Sequence, residues 1–107
     1  MKEMDILRLI QLALSEAGCI TWRNNVGTLK NPAGIPIKFG VCNPGGSDLI
    51  GIAPTGQFLA IEVKTPTGRI RPEQLRFIEA IILRGGIAGI ARSPADAIAL
   101  LARYSRN

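Results

Sequence analysis

Two acids and a lysine stand where side-chain chemistry is most plainly suggested: Asp48, in Gly45-Gly46-Ser47-Asp48, and Glu62 with Lys64, in Glu62-Val63-Lys64. Between them lie the apolar run Leu49-Ile50-Gly51-Ile52, the turn residues Ala53-Pro54-Thr55-Gly56-Gln57, and a second apolar run from Phe58 to Ile61. Two such runs around a Pro/Gly turn predict a β-hairpin. With the turn centred on Thr55, residue i faces residue 110 − i, so Asp48 faces Glu62. Opposed cross-strand residues have Cβ atoms roughly 4.5–5.5 Å apart, and like charges there repel. Two facing carboxylates want a cation between them, and their oxygens suit a hard ion such as Mg²⁺. Strand alternation puts Lys64 on the face of Glu62 and turns Val63 away. Glu62 also ends a run that reads as buried, where a lone charge is costly unless paired or metal-bound. The competing reading is a solvent-facing salt bridge between Glu62 and Lys64; the hairpin spacing to Asp48 weighs against it.

The elements that must position these residues can be read on either side. Residues 3–17 predict a helix, with Asp5, Arg8, Gln11 and Ser15 as a polar stripe and apolar residues over most of the remainder. A helix so apolar is packed on more than one side, which suggests a partner subunit. Gly18 stops it. Cys19–Arg23 predicts a strand, broken by Asn24-Asn25-Val26-Gly27. Residues 28–47 are rich in Gly, Pro and Asn and predict a loop or irregular ribbon, with Ile35–Phe39 as a short edge strand because Pro36 cannot donate to a ladder. After the hairpin, residues 65–71 form a loop, and Pro72 starts a helix with Leu75, Ile78, Ile81 and Ile82 as its core face. Ile87–Ala91 predicts a short buried strand. Ser93-Pro94-Ala95-Asp96 predicts an N-capped helix to about Arg103. The order is α-β-(β)-β-β-α-β-α, an α/β arrangement with a mixed sheet flanked by helices.

The 107 residues suffice for one compact domain, 1–107, and are too few for two ordinary ones. Lys and Arg outnumber Asp and Glu by 13 to 8, and three of the acids (Glu3, Asp48, Glu62) can belong to one site. A basic surface around an acidic pocket suits a polyanion held by its phosphates. The chain has no histidine, which excludes histidine general bases, Ser-His-Asp triads and histidine zinc sites. Cys19 and Cys42 lack metal-site spacing and read as reduced thiols rather than a disulfide. The first residues carry acids and no secretory h-region, and no apolar run is long enough to span a bilayer. The expectation is a cytoplasmic protein without membrane association.

These pieces together resemble the PD-(D/E)xK nuclease superfamily, in which an acid is followed about a dozen residues later by Glu-x-Lys at a strand end. The closer resemblance is to the VRR-NUC (virus-type replication-repair nuclease) family, over nearly the whole chain. An early helical acid matches Glu3. An Arg-x-Asn-x-Gly signature matches Arg23-Asn24-Asn25-Val26-Gly27, with either Asn24 or Asn25 as the matching asparagine. Gly-x-x-Asp-[Leu/Ile]-hydrophobic-Gly matches Gly45-Gly46-Ser47-Asp48-Leu49-Ile50-Gly51, and Glu62-Val63-Lys64 is the Glu-x-Lys. Gln74 resembles the glutamine on the following helix. Ser47 departs from the superfamily's proline before the aspartate.

The resemblance implies a restriction-endonuclease-like core and Mg²⁺- or Mn²⁺-dependent hydrolysis of DNA phosphodiesters. Asp48, Glu62 and the Val63 carbonyl would ligate the metal, and Lys64 would orient or activate the attacking water. Glu3 would bind through water or hold a second metal, and Gln74 would position Lys64 or the water. Arg23, Asn24, Asn25, Gly27 and Ser47 form a candidate backbone-contacting loop, with Lys30, Lys38, Arg69 and Arg71 as further phosphate contacts. Arg76, Arg84, Arg92, Arg103 and Arg106 read as ordinary solvated charges. Trp22 reads as core rather than as a stacking platform. Stand-alone members of the family resemble homodimeric nucleases that cut branched DNA such as four-way junctions or flaps, in a nucleoid or viral replication setting. Two other readings keep the fold: a non-catalytic DNA-junction-binding module, and a nuclease subunit active only with a helicase or recombinase partner.

Overall fold

The turn Ala53–Gln57 sets the register on which the sheet is built. Gly56 N–H donates to the Ala53 carbonyl (2.8 Å) and Ala53 N–H to the Gln57 carbonyl (3.0 Å), closing a tight loop with Pro54 second and Gly56 fourth. Gly56 sits at φ 87°, the left-handed conformation this loop requires after its type I turn. The computed structural model describes residues 1–25, 27–41 and 45–106. Their elements run α1 (Glu3–Glu16), β1 (Ile20–Arg23), β2 (Gly27–Lys30), β3 (Pro36–Phe39), β4 (Leu49–Ile52), β5 (Phe58–Val63), α2 (Pro72–Leu83), β6 (Ile87–Ala91) and α3 (Pro94–Tyr104). Strands β4 and β5 pair antiparallel from Leu49↔Ile61 to Ile52↔Phe58, so partner numbers sum to 110 as the turn residues predict.

Four strands form a mixed sheet in the order β1-β4-β5-β6, with β5 and β6 parallel. Alternation along β5 divides the core. Leu59, Ile61 and Val63 point to one face and pack with Ile6, Leu7, Ile10 and Leu14 of α1 and with Ala97 of α3. Ala60 points to the other, with Ile50, Ala88 and Ile78 of α2. Glu62 shares this second face, and Asp48, one residue before β4, continues it. The helix starts are held by side chains. Asp5 accepts from Lys2 N–H (3.2 Å), Gln74 from Arg71 N–H (2.9 Å), and Ser93 Oγ from Asp96 N–H (3.1 Å).

Several expectations change. The 28–47 region is not only loop: β2 and β3 form a separate antiparallel hairpin, Thr28↔Lys38 and Leu29↔Ile37, closed by Asn31 Oδ1 accepting from Ala33 and Ile35 N–H (2.9 Å each). Leu29 and Ile37 are exposed, which breaks the apolar-in, polar-out alternation that marks a strand. Leu75 is exposed, because the buried stripe of α2 runs through Gln74 and Ile78 instead. Trp22 is 45% exposed, since β1 is an edge strand that α2 does not cover. The apolar character of α1 is largely accounted for within the chain, by the sheet and α3, leaving Leu9 and Leu12 exposed. Cys19 is a free, buried thiol whose pKa burial pushes up; Cys42 and Val26 lie outside the described residues. No helix among the described residues is long and apolar enough to cross a membrane.

A Cβ on Gly56 would meet nothing within 4 Å, so a substitution there tests conformation alone. Gly56→Ala is expected to lower stability by about 1–2 kcal/mol, seen as a lower urea midpoint at unchanged m-value. Gly56→Asn should cost less.

Candidate active site

The hairpin register carries one step past the Leu49↔Ile61 pair to set Asp48 opposite Glu62 at the end of the sheet. Asp48 Oδ2 accepts from Val63 N–H (2.9 Å), which ties the loop carboxylate to the strand bearing Glu62. Glu62 is 3% exposed, and its Oε2 is buried without a hydrogen-bond partner among the described residues. Lys64 follows directly, half-buried, with its backbone N–H on the Ala91 carbonyl (3.1 Å).

The loop before Asp48 is fastened from two sides. Asn24 N–H donates to the Asp48 carbonyl (2.7 Å), and Asn24 Nδ2 donates to the carbonyls of Ser47 and Val41 (3.0 Å each). Asn24 Oδ1 accepts from Val41 N–H (3.0 Å). Asn24 is thus a buried clamp that fixes where Asp48 starts its strand. On the other side Gly45, at φ 98°, lies against the first turn of α2. A Cβ there would stand 2.7 Å from the Glu73 carbonyl oxygen, so the close approach needs glycine.

The electrostatics follow from this geometry. Burial pushes the Glu62 carboxyl up to about 9, helped by a side-chain hydrogen bond with Asp48 and by the Asp48 charge; Lys64 lowers it, and Glu3 raises it slightly. Without a cation, the facing carboxylates therefore favour holding a proton between them, with Glu62, the more buried, pushed up. That proton occupies the place where a metal's positive charge would act. The donor set fits a hard divalent cation: a buried carboxylate oxygen without a partner among the described residues and a second carboxylate opposite it, with the backbone carbonyl of Val63 next in the chain as a further oxygen. Among the described residues no three His, Cys, Asp or Glu side chains gather into a metal site, so a cation here would keep waters in its shell. Glu3, exposed at the start of α1, is close enough to act on Glu62 electrostatically.

The other residues singled out in the sequence fall into two groups. Gln74 is buried and its Oε1 holds Arg71 N–H, so it caps α2 beside the site. Asn24 and Ser47 are buried; Ser47 Oγ has no partner. Arg23, Asn25, Lys30, Lys38, Arg69 and Arg71 are exposed, and Gly27 opens β2. Lys30 and Lys38 share one face of the β2–β3 hairpin, opposite Leu29 and Ile37. Arg71 also pairs with Glu73 (3.6 Å). Arg92, read from sequence as a solvated charge, donates to the carbonyls of Thr65 and Gly68 in the loop after Lys64. Only the parallel pairing of β5 with β6 brings it there, and no local signal marks it.

The raised Glu62 carboxyl has a measurable sign. The folded state keeps a proton that the unfolded chain loses above about 4.5, so folding stability falls as pH rises from there through about 9. In EDTA, the thermal midpoint of the wild type is expected to fall between pH 5 and pH 9, and Glu62→Gln should flatten that decline. Equal slopes in the two proteins would show that Glu62 titrates as an ordinary surface acid.

Comparison with known proteins gives the fold and the family. No curated protein matches the chain. A solved structure described as a VRR_NUC domain superposes with a TM-score of 0.65 at 21% sequence identity, covering 96% of this chain and 97% of that one, which establishes the fold. The family profile of the VRR-NUC domain matches residues 2–95, which span Glu3, Asp48, Glu62, Lys64 and Gln74. The chain belongs to the VRR-NUC family, a membership that implies a nuclease-type, DNA-processing function.

Proposed function

We propose that the chain is a divalent-cation-dependent endodeoxyribonuclease, one nuclease domain over residues 1–107, acting as a homodimer on branched DNA such as four-way junctions or flaps. The observation that carries this reading is the buried Glu62, opposite Asp48, with an oxygen that no group of the described residues satisfies. Asp48, Glu62 and the Val63 carbonyl would hold Mg²⁺ or Mn²⁺, which would supply Lewis-acid stabilisation of the phosphate and a more acidic water. The Lys64 ammonium orients the attacking water and offsets negative charge gathering on the phosphoryl oxygens. The water oxygen bonds to phosphorus and gives up a proton to solvent, the bridging P–O bond breaks, and the leaving oxygen takes a proton from solvent. Glu3 adds a carboxylate at the rim of the site. Gln74 keeps the start of α2, and through Gly45 the Asp48 loop, in place.

The exposed Arg23, Asn25, Lys30, Lys38, Arg69 and Arg71 contact DNA phosphates around this acidic centre. A homodimer is supported by an uncovered apolar row across the sheet. Ile20 pairs with Ile52 and Ile52 with Phe58, on the face shared with Trp22, and all four side chains are exposed. Such a row, absent of charge, suits a second copy of the chain.

Two measurements test the proposal. Asp48→Asn is expected to abolish Mg²⁺- or Mn²⁺-stimulated cleavage of linear duplex, flap, splayed-arm and four-way-junction DNA while DNA binding survives; full cleavage by that variant sinks the assigned site. Ile52→Lys, at the centre of the apolar row, should shift the wild-type dimer toward monomer in analytical ultracentrifugation. An unchanged dimer would move the interface elsewhere.

A further inference from the structure

The geometry points to Arg92 as the positioning residue for Lys64, holding the loop that walls the lysine's stem. This rests on the reading that Lys64 serves cleavage. Lys64 leaves β5 and enters the turn Thr65-Pro66-Thr67-Gly68, closed by Gly68 N–H on the Thr65 carbonyl (3.0 Å). Arg92 Nη1 donates to the carbonyls at both ends of that turn, Thr65 (2.5 Å) and Gly68 (3.0 Å). The turn in turn lies along the lysine. A Cβ on Gly68 would come within 3.3 Å of Lys64 Cδ, 3.4 Å of Lys64 Cβ and 3.2 Å of Thr65 Oγ1. The stem of Lys64 therefore runs against backbone whose position Arg92 fixes.

Arg92 is itself anchored at both ends of its short segment. The preceding residue, Ala91, takes the Lys64 N–H (3.1 Å) as the rung after the parallel β5–β6 pairing. Arg92 N–H donates to Asp96 Oδ2 (2.9 Å), and Asp96 N–H to Ser93 Oγ (3.1 Å), so the cap of α3 holds its root. One guanidinium thus couples the α3 cap to the catalytic lysine's surroundings. The planar, multi-donor guanidinium suits this bridging of two carbonyls, which an ammonium on a flexible stem serves less well. Freed from the clamp, Lys64 would sample more rotamers and hold its ammonium at the reacting phosphate for less of the time.

The test combines single-turnover cleavage, DNA affinity and hydrogen exchange for Arg92→Ala, Arg92→Lys, Lys64→Ala and the Arg92→Ala/Lys64→Ala double variant. Arg92→Ala is expected to slow cleavage by about ten- to a hundredfold, with DNA affinity and its salt dependence unchanged and the Gly68 amide exchanging faster. Arg92→Lys should recover part of the rate, and the double variant should be no slower than Lys64→Ala alone, because the two residues act through one group. Losses that multiply in the double variant, a weakened affinity with a shallower salt slope, or an unchanged Gly68 amide would each overturn the clamp. Lys64→Ala cutting at the wild-type rate would instead overturn the role of Lys64 itself. If Arg92→Ala does not fold, Arg92→Lys with and without Lys64→Ala makes the same comparison.

Discussion

A carboxylate buried opposite another carboxylate needs a third partner, and in this protein the hairpin leaves no room to avoid the encounter. The Pro54–Gly56 turn fixes the β4–β5 register, the register sets Asp48 across from Glu62, and the strand's burial removes water from Glu62. Desolvation of an isolated charge costs far more than one hydrogen bond returns. Burial and the Asp48 charge push the Glu62 carboxyl up, and one of its oxygens finds no partner among the described residues.

The rest of the fold can be understood as support for that pair. Leu59, Ile61 and Val63 anchor β5 between α1 and α3 on one face, while Ala60 leaves space for α2 on the other. Asn24 and Gly45 hold the loop that delivers Asp48, one by hydrogen bonds and one by the absence of a side chain. Arg92 stands beyond Lys64 and holds the chain as it leaves the strand. Each support reaches the site through backbone rather than through the reacting groups, as expected for a site held on rigid elements.

What was legible in the sequence was what local chemistry dictates. A proline and a glycine at fixed places in a short turn determine a register, and the register determines which side chains meet. Pro72 and Ser93-Pro94 mark helix starts for equally local reasons. What was not legible depended on distant surfaces. The β2–β3 hairpin exposes Leu29 and Ile37, so burial offers no alternation from which to read it. Trp22 and Leu75 are apolar residues that no element covers, which composition cannot reveal. Asn24 reads locally as a DNA-backbone contact because its amide can donate to phosphate; only its long-range bonds to Val41 and Ser47 show it as a clamp. Arg92 is a similar case, since the loop it holds lies 24–27 residues away in sequence.

If Glu62 ligates the metal, a proton shared by the facing carboxylates and a divalent cation compete for one place. Calorimetric titration of the wild-type protein with Mn²⁺ near pH 7, repeated in two buffers of different ionisation enthalpy, measures that competition directly. Saturable binding with release of about one proton per cation is expected, with loss of both in Glu62→Gln. Binding without proton release, or binding that survives unchanged in Glu62→Gln, would contradict it.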